Sequence, residues 1–108
     1  MMESAYEFDL YLPLFRDDGS PMESSQLEGI KKTLVERFGG VTDFRHENEG
    51  RWKVGKSEFR DAILILRTLA AADRGAEARP FFSALKERLK KELQQEEILI
   101  VERQVRLV

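Results

Sequence analysis

From Tyr6 the even-numbered residues Tyr6, Phe8, Leu10, Leu12 and Leu14 are apolar, and Glu7 and Asp9 stand between them. Successive side chains of a strand point to opposite faces, so a period of two makes a strand with one buried side. A different period follows. Leu27, Ile30, Leu34, Val35 and Phe38 recur along one helical stripe, the spacing of an amphipathic helix. Strand-like stretches at 41–45 and 59–69, a second helical stripe of Phe81, Phe82, Leu85, Leu89 and Leu93, and a last alternating run over 98–107 complete the order β-α-β-β-α-β. An α+β chain with that order folds as a split βαβ unit, the ferredoxin-like arrangement. It predicts a four-stranded antiparallel sheet in strand order 4-1-3-2, with both helices on one face.

Local signals punctuate these segments. Asp17-Asp18-Gly19-Ser20-Pro21 predicts a turn after the first strand. Ser25 and Glu28 have capping-box spacing, and Gly39 suits the left-handed residue after a helix end. Together they predict a helix over 25–38. Residues 46–57, with Gly50, Trp52 and Gly55, read as a polar loop. The stretch 70–79 reads as a mobile connection, and Pro80 as the first residue of the second helix. Lys86, Glu87, Arg88, Lys90, Lys91 and Glu92 then occupy the solvated side of that helix.

The chain of 108 residues suits one domain, residues 1–108, built around one core. Its 18 basic and 20 acidic side chains are interspersed and give a net charge of −2. That balance argues against nucleic acid as a partner, because such binding relies on concentrated Lys and Arg. Absence of cysteine removes disulfides, thiolate nucleophiles and cysteine-ligated metals. No secretion signal or membrane-spanning run is legible, so a cytoplasmic protein with no membrane association is expected.

Several short segments also resemble a known group. Asp9-Leu10-Tyr11-Leu12-Pro13-Leu14, Asp18-Gly19, Arg37-Phe38-Gly39-Gly40-Val41-Thr42, Gly50-Arg51-Trp52 and Gln95-Glu96-Glu97-Ile98-Leu99 stand in the order seen in small bacterial ferredoxin-like domains of unknown function. The resemblance spans residues 9–101. It implies a compact bacterial α+β domain and carries no catalytic residue or activity with it.

Candidate site residues gather around the second and third strands. Trp52 beside Arg51 and Lys53, in a glycine-flanked segment, offers a ring-stacking or cation-binding surface. The competing reading makes Trp52 a packing residue over the open end of the core. His46 is the single histidine, with Glu47 and Glu49 nearby. One histidine gives a catalytic triad or a multi-histidine metal site little material, so no metal and no cofactor are expected. Asp43 and Asp61 read as a possible acid and base across paired strands, or as surface partners of Arg45 and Arg60. The ligand-binding set is therefore Trp52, Arg51, His46, Arg45 and Asp61.

The two central strands are apolar on both sides, and two helices cover one side of a sheet. Residues such as Tyr11, Phe15, Ile63 or Leu64, and Ile98 or Ile100, are expected on the second face as an exposed apolar patch. A second copy packed through the sheet covers it most simply. The expected function is a non-enzymatic homodimeric module that binds itself and an unidentified protein or small molecule. The alternative is a small cofactor-independent enzyme of the dimeric α+β barrel kind.

Overall fold

A computed structural model describes the backbone of residues 3–54 and 57–108 and the side chains of residues 4–44 and 63–108. Strand β1 spans Glu3–Pro13, helix α1 Ser24–Phe38, β2 Thr42–Val54 and β3 Ser57–Ala71. A short 3-10 turn at Ala72–Arg74 leads into α2, Gly75–Glu92, and β4 is Leu99–Leu107. The sheet has the order β2-β3-β1-β4 with antiparallel neighbours, which is the expected order read from its other edge.

Alternation along β1 decides which face is covered. Phe8, Leu10 and Leu12 turn to the helices and meet Leu64, Leu66 and Ala70 from β3. Ile30 and Leu34 of α1, and Ala78, Phe82, Leu85 and Leu89 of α2, close the layer. Aromatic rings tie the three elements together. Phe82 stacks on Phe8 with centroids 4.2 Å apart, and Phe38 stacks on Phe82 at 5.3 Å. Offset stacking of this kind adds about 0.5–1.5 kcal/mol per pair beyond the buried area.

Three local expectations are corrected. Helix α1 is capped by Glu23 rather than Ser25, and Gln26 Oε1 accepts from the Glu23 N–H at 3.2 Å. Arg16 Nη2 donates to the same oxygen at 2.8 Å, so the preceding turn selects this cap. Gly39 does adopt the left-handed conformation, φ 90°, and donates its N–H to Val35.

The polar stretch 46–57 is largely strand, with a bulge between Phe44 and Asn48. Hydrophobic periodicity marks strands that bury a face. Among the described residues β1 pairs with β3 over Ile63–Ala71, whereas the ladder from Asn48↔Ile63 to Val54↔Ser57 extends β2 and β3 beyond β1. Backbone hydrogen bonds build such an arm without an apolar stripe.

The connection 70–79 is also structured, and α2 begins at Gly75 so that Pro80 lies inside it. Proline removes one helical hydrogen bond. Burial of Gly75 and Ala78 against the sheet holds the turn that precedes it.

Candidate functional site on the open face of the sheet

Cross-strand partners share a face, so the register lays out the side without helices as a series of rows. Ala71, Ala5 and Val105 form one row, and Leu69, Glu7 and Arg103 the next. Thr42, Arg67, Asp9 and Val101 follow, and then Phe44, Ile65, Tyr11 and Leu99. Four charged side chains therefore sit at the centre of a face whose other positions are mainly apolar. This corrects part of the expected patch. Tyr11 and Ile63 lie on the open face, but Leu64 and Ile98 are buried in the core. Ile100 packs against the core, and Phe15 is exposed beyond the end of β1.

Asp9 is the unusual member, a carboxylate with 1% of its surface exposed. Arg67 grips it with both prongs of its guanidinium, Nε to Oδ1 at 2.8 Å and Nη2 to Oδ2 at 3.0 Å. Arg103 Nη2 also donates to Oδ2 of Asp9, and it donates to Glu7 Oε1 at 2.9 Å. Arg67 Nε lies 3.0 Å from the same Glu7 oxygen. A desolvated carboxylate is costly unless it is paired and hydrogen-bonded, and here two arginines meet that need. The Asp9 hydrogen bond raises the Arg67 pKa, and the Glu7 hydrogen bond raises that of Arg103. Arg67 also lies 5.0 Å from the centre of the Phe44 ring. Two acids and two bases leave the cluster neutral, with Arg67 Nε and Nη2 and Arg103 Nη2 directed at its own acceptors. Such an arrangement fixes register and shape.

Around this cluster the apolar side chains stand open. Leu99 is 54% exposed and Leu107 38%, both on the edge strand β4, and Leu69 on β3 is 39% exposed. Val101 and Val105 are half-buried in the same line of β4.

A second, smaller feature lies on the helix side, between α2 and β4. Phe8, Phe82 and Ile100 line the inner part of a cleft of about 320 Å³, and Arg79, Ser83, Lys86 and Glu102 form its rim. Arg79 Nε donates to Glu102 at 2.8 Å, and Lys86 pairs with Glu97 at 2.8 Å, so both rim cations are engaged.

The residues singled out from sequence lie elsewhere. Arg45 and His46 fall in the irregular stretch of β2 between Phe44 and Asn48, and Arg51, Trp52 and Asp61 belong to the hairpin arm of β2 and β3. The ladder opposes Arg51 to Arg60, Gly50 to Asp61 and Trp52 to Phe59. Their side chains, and those of Glu47, Glu49 and Lys53, lie outside the described residues. The register separates the expected couple of Asp43 and Asp61 along the sheet, and the Asp61 side chain lies outside the described residues. Asp43 pairs with Leu66 on the helix side and binds Lys31 at 2.5 Å, whereas Asp61 opposes Gly50. Five residues of strand between those positions correspond to about 16 Å. Among the described residues no group of three or more His, Cys, Asp and Glu could hold a metal ion. None of the described helices is long and apolar enough to cross a membrane.

The residues that sequence reasoning passed over are Glu7, Asp9, Arg67 and Arg103. One signal was present, an arginine inside the apolar run of β3, which needs a partner if its strand is central. Naming that partner requires the register.

No family model matches the chain, and no curated protein matches it. Among solved structures the chain is similar to a phage SAM lyase in complex with S-methyl-5′-thioadenosine, with a TM-score of 0.67 and 8% sequence identity. The match covers 96% of this chain and 89% of the lyase chain. At that identity the likeness shows a shared compact α+β fold with a four-stranded sheet.

Proposed function

We propose that this chain is a self-associating interaction module that works through the β4 side of its open sheet face. The observation that carries the reading is the line of Leu99, Val101, Val105 and Leu107 on an edge strand, beside a charge cluster that is already neutral and internally bonded. An enzyme of this size needs polar groups that converge on a substrate. On this face the central polar groups converge on one another. Apolar side chains left beside such a cluster favour a partner that brings apolar surface of its own, and a second copy has it. A bacterial, cytoplasmic setting belongs to the same reading, through the order of segments from Asp9 to Leu99 and the absence of cysteine.

Light scattering on the purified protein at high micromolar concentration tests it. Twice the chain mass of 12.5 kDa is expected, and Leu99→Lys with Leu107→Lys should return the protein to monomer while leaving its circular dichroism unchanged. A wild-type monomer at that concentration overturns the proposal.

A second reading, a small cofactor-independent enzyme or ligand binder, draws on the α2–β4 cleft and the fold shared with the phage lyase. Its volume of about 320 Å³ is at the low end for small-molecule sites. Incubation with SAM, followed by chromatography for S-methyl-5′-thioadenosine, separates the two. Turnover abolished by Arg79→Ala would favour the enzyme, whereas no turnover and no thermal shift with S-methyl-5′-thioadenosine would count against it.

A further inference from the structure

We infer that the second copy joins at the edge of the sheet, β4 against β4 in antiparallel register about a two-fold axis at Arg103, making one eight-stranded sheet. This inference rests on the self-association proposed above and specifies its geometry.

Strand β4 occupies one end of the sheet order, and among the described residues only β1 pairs with it. A strand edge without a partner offers a row of N–H and C=O groups to another chain, and proteins blunt it with proline, a bulge, a short strand or charged side chains. Of these β4 carries only charges, with Arg103 bonded within its own chain and Glu102 to Arg79. β4 is nine residues long, Leu-Ile-Val-Glu-Arg-Gln-Val-Arg-Leu, with no proline or glycine, and its pairing with β1 runs in uninterrupted register.

Its open-face residues also form a palindrome. Leu99, Val101, Arg103, Val105 and Leu107 read the same in both directions. Antiparallel pairing about Arg103 sets Leu99 opposite Leu107 of the second copy and Val101 opposite Val105. Any same-face shift by two residues sets Arg103 opposite a valine instead. In the palindromic register eight apolar side chains from the two copies meet in facing pairs, at Cβ separations of about 4.5–5.5 Å.

The charges agree with this register. The two Arg103 side chains meet at the axis, but each is already bonded to Glu7 and Asp9 of its own chain, which offsets the like charge. On the helix side, Glu102 opposes Gln104 of the second copy and lies diagonal to its Arg106 and, across the axis, to its Glu102, so two favourable diagonals stand against one like-charge diagonal. A diagonal of roughly 7–8 Å is within reach of long side chains.

Paired single-cysteine variants provide the test, because the native chain has no cysteine. Val101→Cys and Val105→Cys are prepared separately, mixed in equal amounts, and oxidised with a mild thiol oxidant. Disulfide-linked dimer is expected in the mixture and not in either variant alone. In the proposed register residues 101 and 105 face each other across the axis. Two copies of residue 101 stand four positions apart, about 13 Å, beyond disulfide reach. Leu99→Cys with Leu107→Cys repeats the experiment at the strand ends and should give the same pattern. Light scattering on the reduced wild-type protein accompanies both. A dimer that cross-links only in the mixtures supports the edge geometry. A dimer that fails to cross-link in both mixtures, or cross-links equally within single variants, overturns the geometry and leaves self-association standing. A wild-type monomer overturns both.

Discussion

The ring of Tyr6 fills the space that a Cβ on Gly75 would need: its Cε2 and Cδ2 lie 2.5 Å and 2.8 Å from that position. Tyr6 comes from the first strand and Gly75 begins the second helix, so this contact sets how closely α2 starts against the sheet. The Arg79 guanidinium also lies over this ring, 5.0 Å from its centre.

Gly75→Ala should therefore destabilise the fold by about 1–3 kcal/mol through overpacking. The backbone at Gly75 is ordinary right-handed helix, φ −59°, so conformational strain is not the cause. Urea unfolding measures the loss, and adding Tyr6→Leu should recover most of it. Gly40→Ala serves as control, because no atom lies within 4 Å of its added Cβ, and its change should stay within about 0.5 kcal/mol.

Asp9→Asn should cost about 2 kcal/mol, since it removes the charge from a buried acceptor of three arginine hydrogen bonds. A double-mutant cycle with Arg67→Met isolates their coupling, which should exceed 1 kcal/mol. Coupling of the few tenths typical of exposed ion pairs would show that burial of Asp9 adds little.

Acid should weaken two surface contacts together. The Ser20 hydroxyl and N–H hold Asp18 below its ordinary value of 3.8, and Lys86 with the Ile98 N–H holds Glu97 below 4.5. A carboxylate whose folded pKa lies below its unfolded value contributes stability that is present above the unfolded value. That contribution is lost as pH falls through the folded one. The acid limb below about pH 4 should carry both losses. NMR titration should place both groups under their ordinary values, and Ser20→Ala should raise Asp18 alone.

Much of the fold was legible because burial leaves a period. Tyr6 to Leu12 alternated because one side of β1 faces the helices, and Leu27 to Phe38 repeated at helical spacing for the same reason. A strand whose sequence carries no apolar stripe gives no such signal. The arm from Asn48 to Val54 looked like a loop because its ladder is held by backbone hydrogen bonds. The cap at Glu23 is not legible locally for another reason: its partner Gln26 is also held by Arg16, ten residues earlier in the chain.

By itself the sequence determined the order of elements, the sheet topology, the turn at Asp18–Gly19 and the helix stop at Gly39, each a consequence of local conformational preference or of periodic burial. Only the tertiary structure decided that Glu7, Asp9, Arg67 and Arg103, from three different strands, meet as one neutral cluster, and that Asp43 pairs with Lys31. Register decides such encounters: a slide of one residue between strands sends every side chain to the opposite face, and that slide is settled by the packing of the whole sheet against its helices.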